Sequence, residues 1–445
     1  MVKFGQLFLS LTILITLHEF GHFFFAKRFK CRVEKFYLFF DFLFPFAGLL
    51  NFSLFKKKIG DTLYGLGWFP FGGYVQIAGM VDEQMDKTML EKEPEPWEFR
   101  AKPAYQRLLI MMGGILVNLI LGFLIYWMVF YFWGRQTIPA DQLKYGIACD
   151  STALNMGLRD GDFVTSVDGK PITNLRQVPI EIIMNKATSM EVLRDGQKVT
   201  IPISEDNISK ILSGLKRSRS GGDFVSVRMP TEVELIAPAS YAESAGLKKG
   251  DLIIGINDKL TPFYSDFSRE KAYYKGKEAE LVVIRGVDTV RLKSKISLEG
   301  SIGFYNNTEK YTPIYDQKFG FFESLGAGLH YGIENLIMQA KQFVVLFTVK
   351  DAHKQVGGFY SMYKNMNEVW DWHAFWLFTG FLSLVLAFMN FLPIPMLDGG
   401  YILFLLIEII SRRKIPEKVI YYANYVGLVL ILSLMIYANT DWLRD

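Results

Sequence analysis

The sequence predicts a multi-span α-helical membrane protein with four transmembrane helices, a globular insertion between the second and third, and a membrane-associated, skimming segment after the first. Three observations carry this. Four long stretches are nearly free of charge in a chain of 445 residues that is 21% charged and 50% hydrophobic. The charged residues collect between those stretches, and the segment between the second and third contains an internal repeat. A mean hydropathy of +0.18 excludes a mainly disordered chain. With 2 Cys, a disulfide-stapled fold is excluded. A net charge of +4, from 49 basic against 45 acidic residues, gives no nucleic-acid footprint, so no nucleic-acid partner is expected.

Spanning about 30 Å of hydrocarbon takes roughly 20 apolar residues. Residues 4–17 carry no charge, and the apolar stretch runs on to Ala26 interrupted only by His18, Glu19 and His22. Lys3 and the apolar run also suit a signal peptide, but FFFAKRF is a poor cleavage site, so a span is expected. Residues 36–55 are apolar too, yet Asp41, Pro45 and Gly48 argue for a membrane-skimming or re-entrant segment rather than a fifth span. Residues 108–134 form the second span. The third covers 374–397 and resumes beyond Asp398 to Ile410, and the fourth covers 419–440.

Lys and Arg near the span ends set orientation. Lys27, Arg28, Lys30, Arg32 and Lys35, then Arg100, Lys102 and Arg107, then Arg412, Arg413, Lys414 and Lys418 lie on one side. Only Lys3, Arg135, Lys144, Lys364 and Arg444 lie on the other. Residues 27–107 and 411–418 are therefore expected in the cytoplasm, with both termini and 135–373 outside. Trp127, Trp133, Trp370, Trp372 and Trp442 stand where an interfacial belt is expected. Cys31 and Cys149 fall on opposite sides and cannot pair.

In the insertion, STALNMGLRDGDFVTSVDGKPI from Ser151 is repeated as SYAESAGLKKGDLIIGINDKLT from Ser240. Each copy reads as a helical turn ending at Gly, a turn, and a strand. The pattern A-x-x-x-G-L-x-x-G-D resembles the circularly permuted bacterial PDZ domain, which captures an extended peptide as an added strand. The expected organisation is 1–134 for the first two spans and the cytoplasmic-side β-region, 135–205 and 223–300 for two PDZ-like domains, 301–373 for an amphipathic membrane-associated region, and 374–445 for the last two spans. SGLKRSRSGG between the copies reads as a flexible linker. Phe322, Leu325, Leu329, Ile333, Leu336 and Ala340 recur at helical spacing and predict an amphipathic helix on the bilayer or on the spans.

Residues 18–22 read HEFGH. Positions i and i+4 share a helix face, so His18 and His22 can aim both imidazoles at one ion, with Glu19 beside them as a base. With 5 His in the chain, composition alone gives such a match roughly 0.003 times. Ionisable groups inside a span are costly and mark function by default. Catalytic zinc takes three protein ligands and keeps an open position. Among the few acids in the other apolar blocks (Asp41, Asp398 and Glu408), Asp398 lies in NFLPIPMLDGGYILF, where Pro393, Pro395, Gly399 and Gly400 should break the helix. Asp398 is the expected third ligand, and Glu408 is expected to snorkel. His18 lies about 21 Å of helix rise from the outer edge, in the inner half of the bilayer, as Asp398 does.

With HEFGH in the first span and PMLDGG on a later one, the chain resembles the site-2 protease family of intramembrane zinc metalloproteases. The paired repeats, four spans and FGGYVQIAGMVDE at 71–83 narrow the likeness to the bacterial sigma-E-regulating type. The resemblance implies a Zn2+ cofactor held by His18, His22 and Asp398, with Glu19 as catalytic base. It implies that Asn390 helps bind substrate, and that a re-entrant β-segment including Gly73, Tyr74, Val75 and Gln76 lies beside the site. It also brings a G-x-x-x-N pattern, Gly114 and Asn118, for which plain helix packing is an equal reading. The implied substrates are single-pass membrane proteins, trimmed anti-sigma factors or signal-peptide remnants, cut within the bilayer of the bacterial inner membrane. Peptide segments are possible partners of the PDZ-like domains. Two features depart from the family pattern: QVGGFYSMYK at 355–364, and the long apolar run FDFLFPFAGLLNFSLFKKK.

Overall fold

The computed structural model describes residues 2–43, 50–69, 72–80, 93–217, 224–350 and 352–440. Phe71, residues 81–83, the second half of the basic linker and Trp442 fall outside these, as does the middle of the 36–55 stretch. Among the described residues, four helices are long and apolar enough to cross a membrane: α1 (Val2–Arg28), α2 (Ala104–Phe132), α4 (Trp372–Phe391) and α6 (Glu417–Asn439). Between them run α3 (Phe321–Thr348) and α5 (Asp398–Ser411). The chain divides into two compact units, one of residues 1–134, 318–343 and 356–445, the other of 135–317 and 344–355.

In the first unit, glycines let α1 and α2 cross at backbone distance. A Cβ on Gly21 would stand 2.3 Å from the Gly113 carbonyl oxygen, and one on Gly113 2.4 Å from that of Gly21. Two side-chain bonds lock α4 into this pair where no water competes: Ser10 to Thr379 at 2.7 Å, and Ser383 Oγ donating to the Asn118 carbonyl at 2.6 Å. Asp371 caps α4, accepting from the N–H groups of His373 and Ala374. Phe391 ends that helix, because Pro393 and Pro395 cannot continue it. The break at 392–397 folds back so tightly that a Cβ on Gly399 would meet the Leu392 carbonyl at 2.1 Å, and one on Gly427 the Pro395 carbonyl at 2.1 Å. Asn424 of α6 accepts from the Met396 N–H at 3.1 Å and so holds the break in place. Glu408 does not snorkel: Arg107 of α2 donates to it, so two residues three hundred positions apart neutralise each other.

Following α1, strands β1 (Val33–Tyr37), β2 (Ser53–Ile59), β3 (Thr62–Gly67) and β4 (Tyr74–Ile77) form a sheet in the order β2-β3-β1-β4. β1 runs parallel to β3 and antiparallel to β4, and Tyr37 and Tyr74 stack across the latter pair at 5.3 Å. β4 is thus an edge strand among the described residues. α3 turns Gly328 and Gly332 against Trp127 and Phe123 of α2, which leaves Phe322, Leu325, Leu329 and Ile333 exposed along its other face. That exposed apolar stripe is the arrangement an amphipathic surface helix requires.

The second unit explains the sequence repeat. In the first copy Gly157 and Gly161 take φ of +100° and +94°, and in the second Gly246 and Gly250 take +76° and +87°. Asp162 and Asp251 are both 1% exposed, and each accepts two bonds from an arginine, Arg194 and Arg285, at 2.8 and 2.7 Å. Each arginine also donates to the carbonyl of the first glycine at 2.8 Å. Burial alone would raise the Asp251 carboxyl; the Arg285 fork and the Lys248 N–H outweigh it and hold it below the usual carboxylate range.

The strand pairing shifts the boundaries expected from sequence. Val225–Val227 pairs with Ile147–Cys149, so the first copy's last strand comes after the linker. Phe304–Asn306 likewise pairs with Thr231–Ile236 in the second. The reading of 213–222 as linker also changes, since a helix covers Glu205–Arg217 and buries Ile208 and Ile211. The amphipathic region expected at 301–373 is divided: Val345 and Ala352 join the core of the first copy. Cys31 and Cys149 are free and buried.

Candidate active site

The site is built where α1, α2 and the start of α5 meet. His18 and His22 lie one turn apart on α1, and Asp398 is the first residue of α5. A carboxylate is favoured there by the unpaired N–H groups of a helix start. The two Nε2 atoms stand 3.2 Å apart, and Asp398 Oδ2 is 3.2 Å from that of His18 and 3.3 Å from that of His22. Despite this closeness, Asp398 Oδ2 is buried and has no hydrogen-bond partner of acceptable direction. Three metal-donor atoms therefore converge on one point, the carboxylate oxygen among them without a bond of its own. Donors placed 2.0–2.1 Å from a tetrahedral zinc stand about 3.3 Å apart, so the set fits that ion. Among the described residues it is the one group of three such side chains able to hold a metal.

α2 supplies the floor. A Cβ on Gly114 would lie 2.5 Å from His18 Cε1 and 2.5 Å from His22 Nε2, so only glycine leaves room for both rings. Gly113 serves the crossing with Gly21, whereas Gly114 serves the imidazoles. His22 Nδ1 donates to the Ile110 carbonyl at 2.9 Å, which leaves Nε2 free as a donor to metal. Asn118, fully buried, brings its side-chain amide to 3.2 Å from His18 Nδ1.

A cavity of about 700 Å³ opens over these groups, the size of a ligand pocket. Glu19 lines it beside the histidines, and the Val75 backbone amide approaches its carboxylate. Gly73, Tyr74, Val75 and Asn390 line it too, so the structure brings these expected residues together with the metal-binding set; Gln76 is not among the lining residues. The smallness of Gly72 and Gly73 is used within the sheet, where added Cβ atoms would strike Phe40 and the Leu38 carbonyl. Sequence reasoning missed Phe359 and Asn424 on the cavity wall. An Asn inside an uncharged span was the available signal for Asn424.

A buried metal-binding set beside a carboxylate, reached from a cavity flanked by an open strand edge, is suited to hydrolysing an extended chain. A family profile described as peptidase family M50 matches residues 6–434. The chain belongs to peptidase family M50, the site-2 protease family. It is similar to the "Putative zinc metalloprotease" of Xylella fastidiosa, 26% identical over 446 residues covering 96% of this chain and 95% of that one. It is equally similar to the regulator of sigma-E protease RseP of Escherichia coli, 26% identical with the same coverage, and is 26% identical to a Vibrio cholerae protein of the same name as the first over 97% of this chain and 96% of that one. As an M50 peptidase the chain is a hydrolase whose site-2 protease character agrees with its four apolar helices.

Proposed function

We propose that this M50 peptidase is a zinc endopeptidase of the bacterial inner membrane that cuts single-pass membrane proteins within or near their spans. Its proposed substrates are trimmed anti-sigma factors and signal-peptide remnants. The observation that carries the reading is the convergence of His18, His22 and Asp398 inside an apolar helix bundle, next to Glu19. The three residues hold the ion; bound there, zinc supplies Lewis-acid polarisation of water and of the scissile carbonyl. Glu19 takes a proton from the attacking water and returns it to the leaving amine. The outer edge of β4 lines the substrate chain beside the site through main-chain bonds, and Asn390 holds a further backbone group from the opposite wall of the cavity. The repeats, read as PDZ-like domains outside the membrane, exclude substrates with bulky outer domains or bind peptide segments.

The substrate class is tested with single-pass proteins presented in detergent, each with a folded outer domain or with that domain removed. The trimmed forms should be cut and the full forms spared. Equal cleavage of both, or cleavage confined to soluble unfolded proteins, sinks the assignment. Sidedness follows from the Lys/Arg asymmetry and has its own test. In a background lacking Cys31 and Cys149, Ser301→Cys should label from outside intact cells, and Lys57→Cys only after permeabilisation; both positions are exposed. The reverse pattern inverts the topology.

A further inference from the structure

We infer that Asn118 is the positioning residue of His18, its side-chain carbonyl accepting the Nδ1–H so that Nε2 faces the metal; this rests on the zinc reading above. Three positions one turn apart on α2 lie beneath the two imidazoles: Ile110, Gly114 and Asn118. Ile110 fixes His22 through a backbone carbonyl at 2.9 Å, and Gly114 clears space for both rings. Asn118 occupies for His18 the place that Ile110 occupies for His22, with the difference that its group is a side chain.

With the amide nitrogen turned toward His18 Nδ1 at 3.2 Å, the Asn118 Oδ1 is buried and no donor reaches it. In that arrangement Nδ1 must accept, the ring proton sits on Nε2, and the N–H points between His22 Nε2 and Asp398 Oδ2. That is the one place where a cation has to go. The two ends of a side-chain amide are assigned from the bonds they make. Exchanging them sets the orphaned oxygen against Nδ1, gives both histidines the same tautomer, and directs three lone pairs to a common point. Asn118 is itself held: its backbone carbonyl accepts from Ser383 at 2.6 Å, which fixes the turn carrying the amide.

The test uses full-length protein in detergent, with zinc affinity measured by chelator competition and the geometry read from the visible absorption of the cobalt(II) form. Asn118→Leu removes the acceptor at similar volume and should weaken zinc binding ten- to a hundred-fold, the usual cost of a lost partner behind a metal-binding histidine, with an altered cobalt band. Asn118→Asp keeps an acceptor oxygen but cannot donate, and should retain near wild-type affinity. Were the residue needed only for packing or as a donor, Asp would do as badly as Leu, or Leu would be silent; either result overturns the inference. Thermal unfolding of both variants separates loss of metal from loss of fold. If wild-type protein holds zinc that His22→Ala removes while Asn118→Leu does not weaken it, this inference alone falls. If wild-type protein holds none, the zinc reading falls with it.

Discussion

Glu19→Gln protein should hold about one zinc per chain and lose cleavage by about 100- to 10 000-fold, the range over which a positioned acid–base group acts. Asp398→Ala should lose both metal and cleavage. The difference lies in what each side chain touches. Glu19 lines the cavity beside the histidines but is not one of the three converging donors, so its amide analogue leaves that set intact and removes only the base. Gln keeps the size of Glu and an oxygen for the Val75 amide, so the wall of the site should stand. Asp398 is one of three donors, and its loss leaves two imidazoles, one short of the set that a catalytic zinc needs. Metal content by elemental analysis and cleavage of one trimmed substrate decide the matter together. Full activity in Asp398→Ala would end the site assignment, and loss of zinc from Glu19→Gln would make Glu19 a ligand.

The parts of this site that were legible in the sequence are those whose rule is local or whose exceptions are few. His18 and His22 share a face because a helix repeats nearly every four residues, and Asp398 stands out because so few acids occur in apolar blocks. The repeat was visible because turns with positive φ demand glycine at fixed spacing. The arginines that complete it were not, because Arg194 and Arg285 stand 32 and 34 residues along the chain from the aspartates they clasp. Long-range pairing left no trace: three residues, Val225–Val227, are too few for a period, and nothing local in Arg107 or Glu408 announces the other. The helix over Glu205–Arg217 was hidden for another reason. Its basic end and the glycines after it read as linker, while its apolar positions become informative only against a core to cover. Asn118 marks the middle ground, since G-x-x-x-N is equally a packing motif and a partner for an imidazole until the neighbouring helix is in place.

Val75→Pro should keep zinc and fold yet cut about 5- to 150-fold more slowly, as expected if one buried main-chain bond worth about 1–3 kcal/mol is lost. A peptide bond inside a substrate helix is shielded by its own hydrogen bonds, so the helix must unwind to be cut. Freed backbone groups then need partners, since each costs several kcal/mol unpaired in hydrocarbon. β4 can supply them because it pairs with β1 on one side and nothing pairs with its other edge among the described residues. The Val75 amide approaches Glu19, which places its N–H on the open edge and beside the chemistry. Amides alternate in direction along a strand, so that of Gln76, paired in register with Lys35, is directed to β1. Proline at Val75 therefore removes an outer-edge N–H that faces Glu19 and that an entering chain takes up, while its fixed φ and the extended residue before it remain compatible with a strand. Proline at Gln76 should instead break the ladder, loosen the sheet and lower thermal stability. The contrast between neighbours is the discriminating result. If β4 is only a prop for α1, Val75→Pro will release zinc or do nothing, and a zinc-loaded Val75→Pro protein cutting at the wild-type rate rules out strand addition while leaving the peptidase intact.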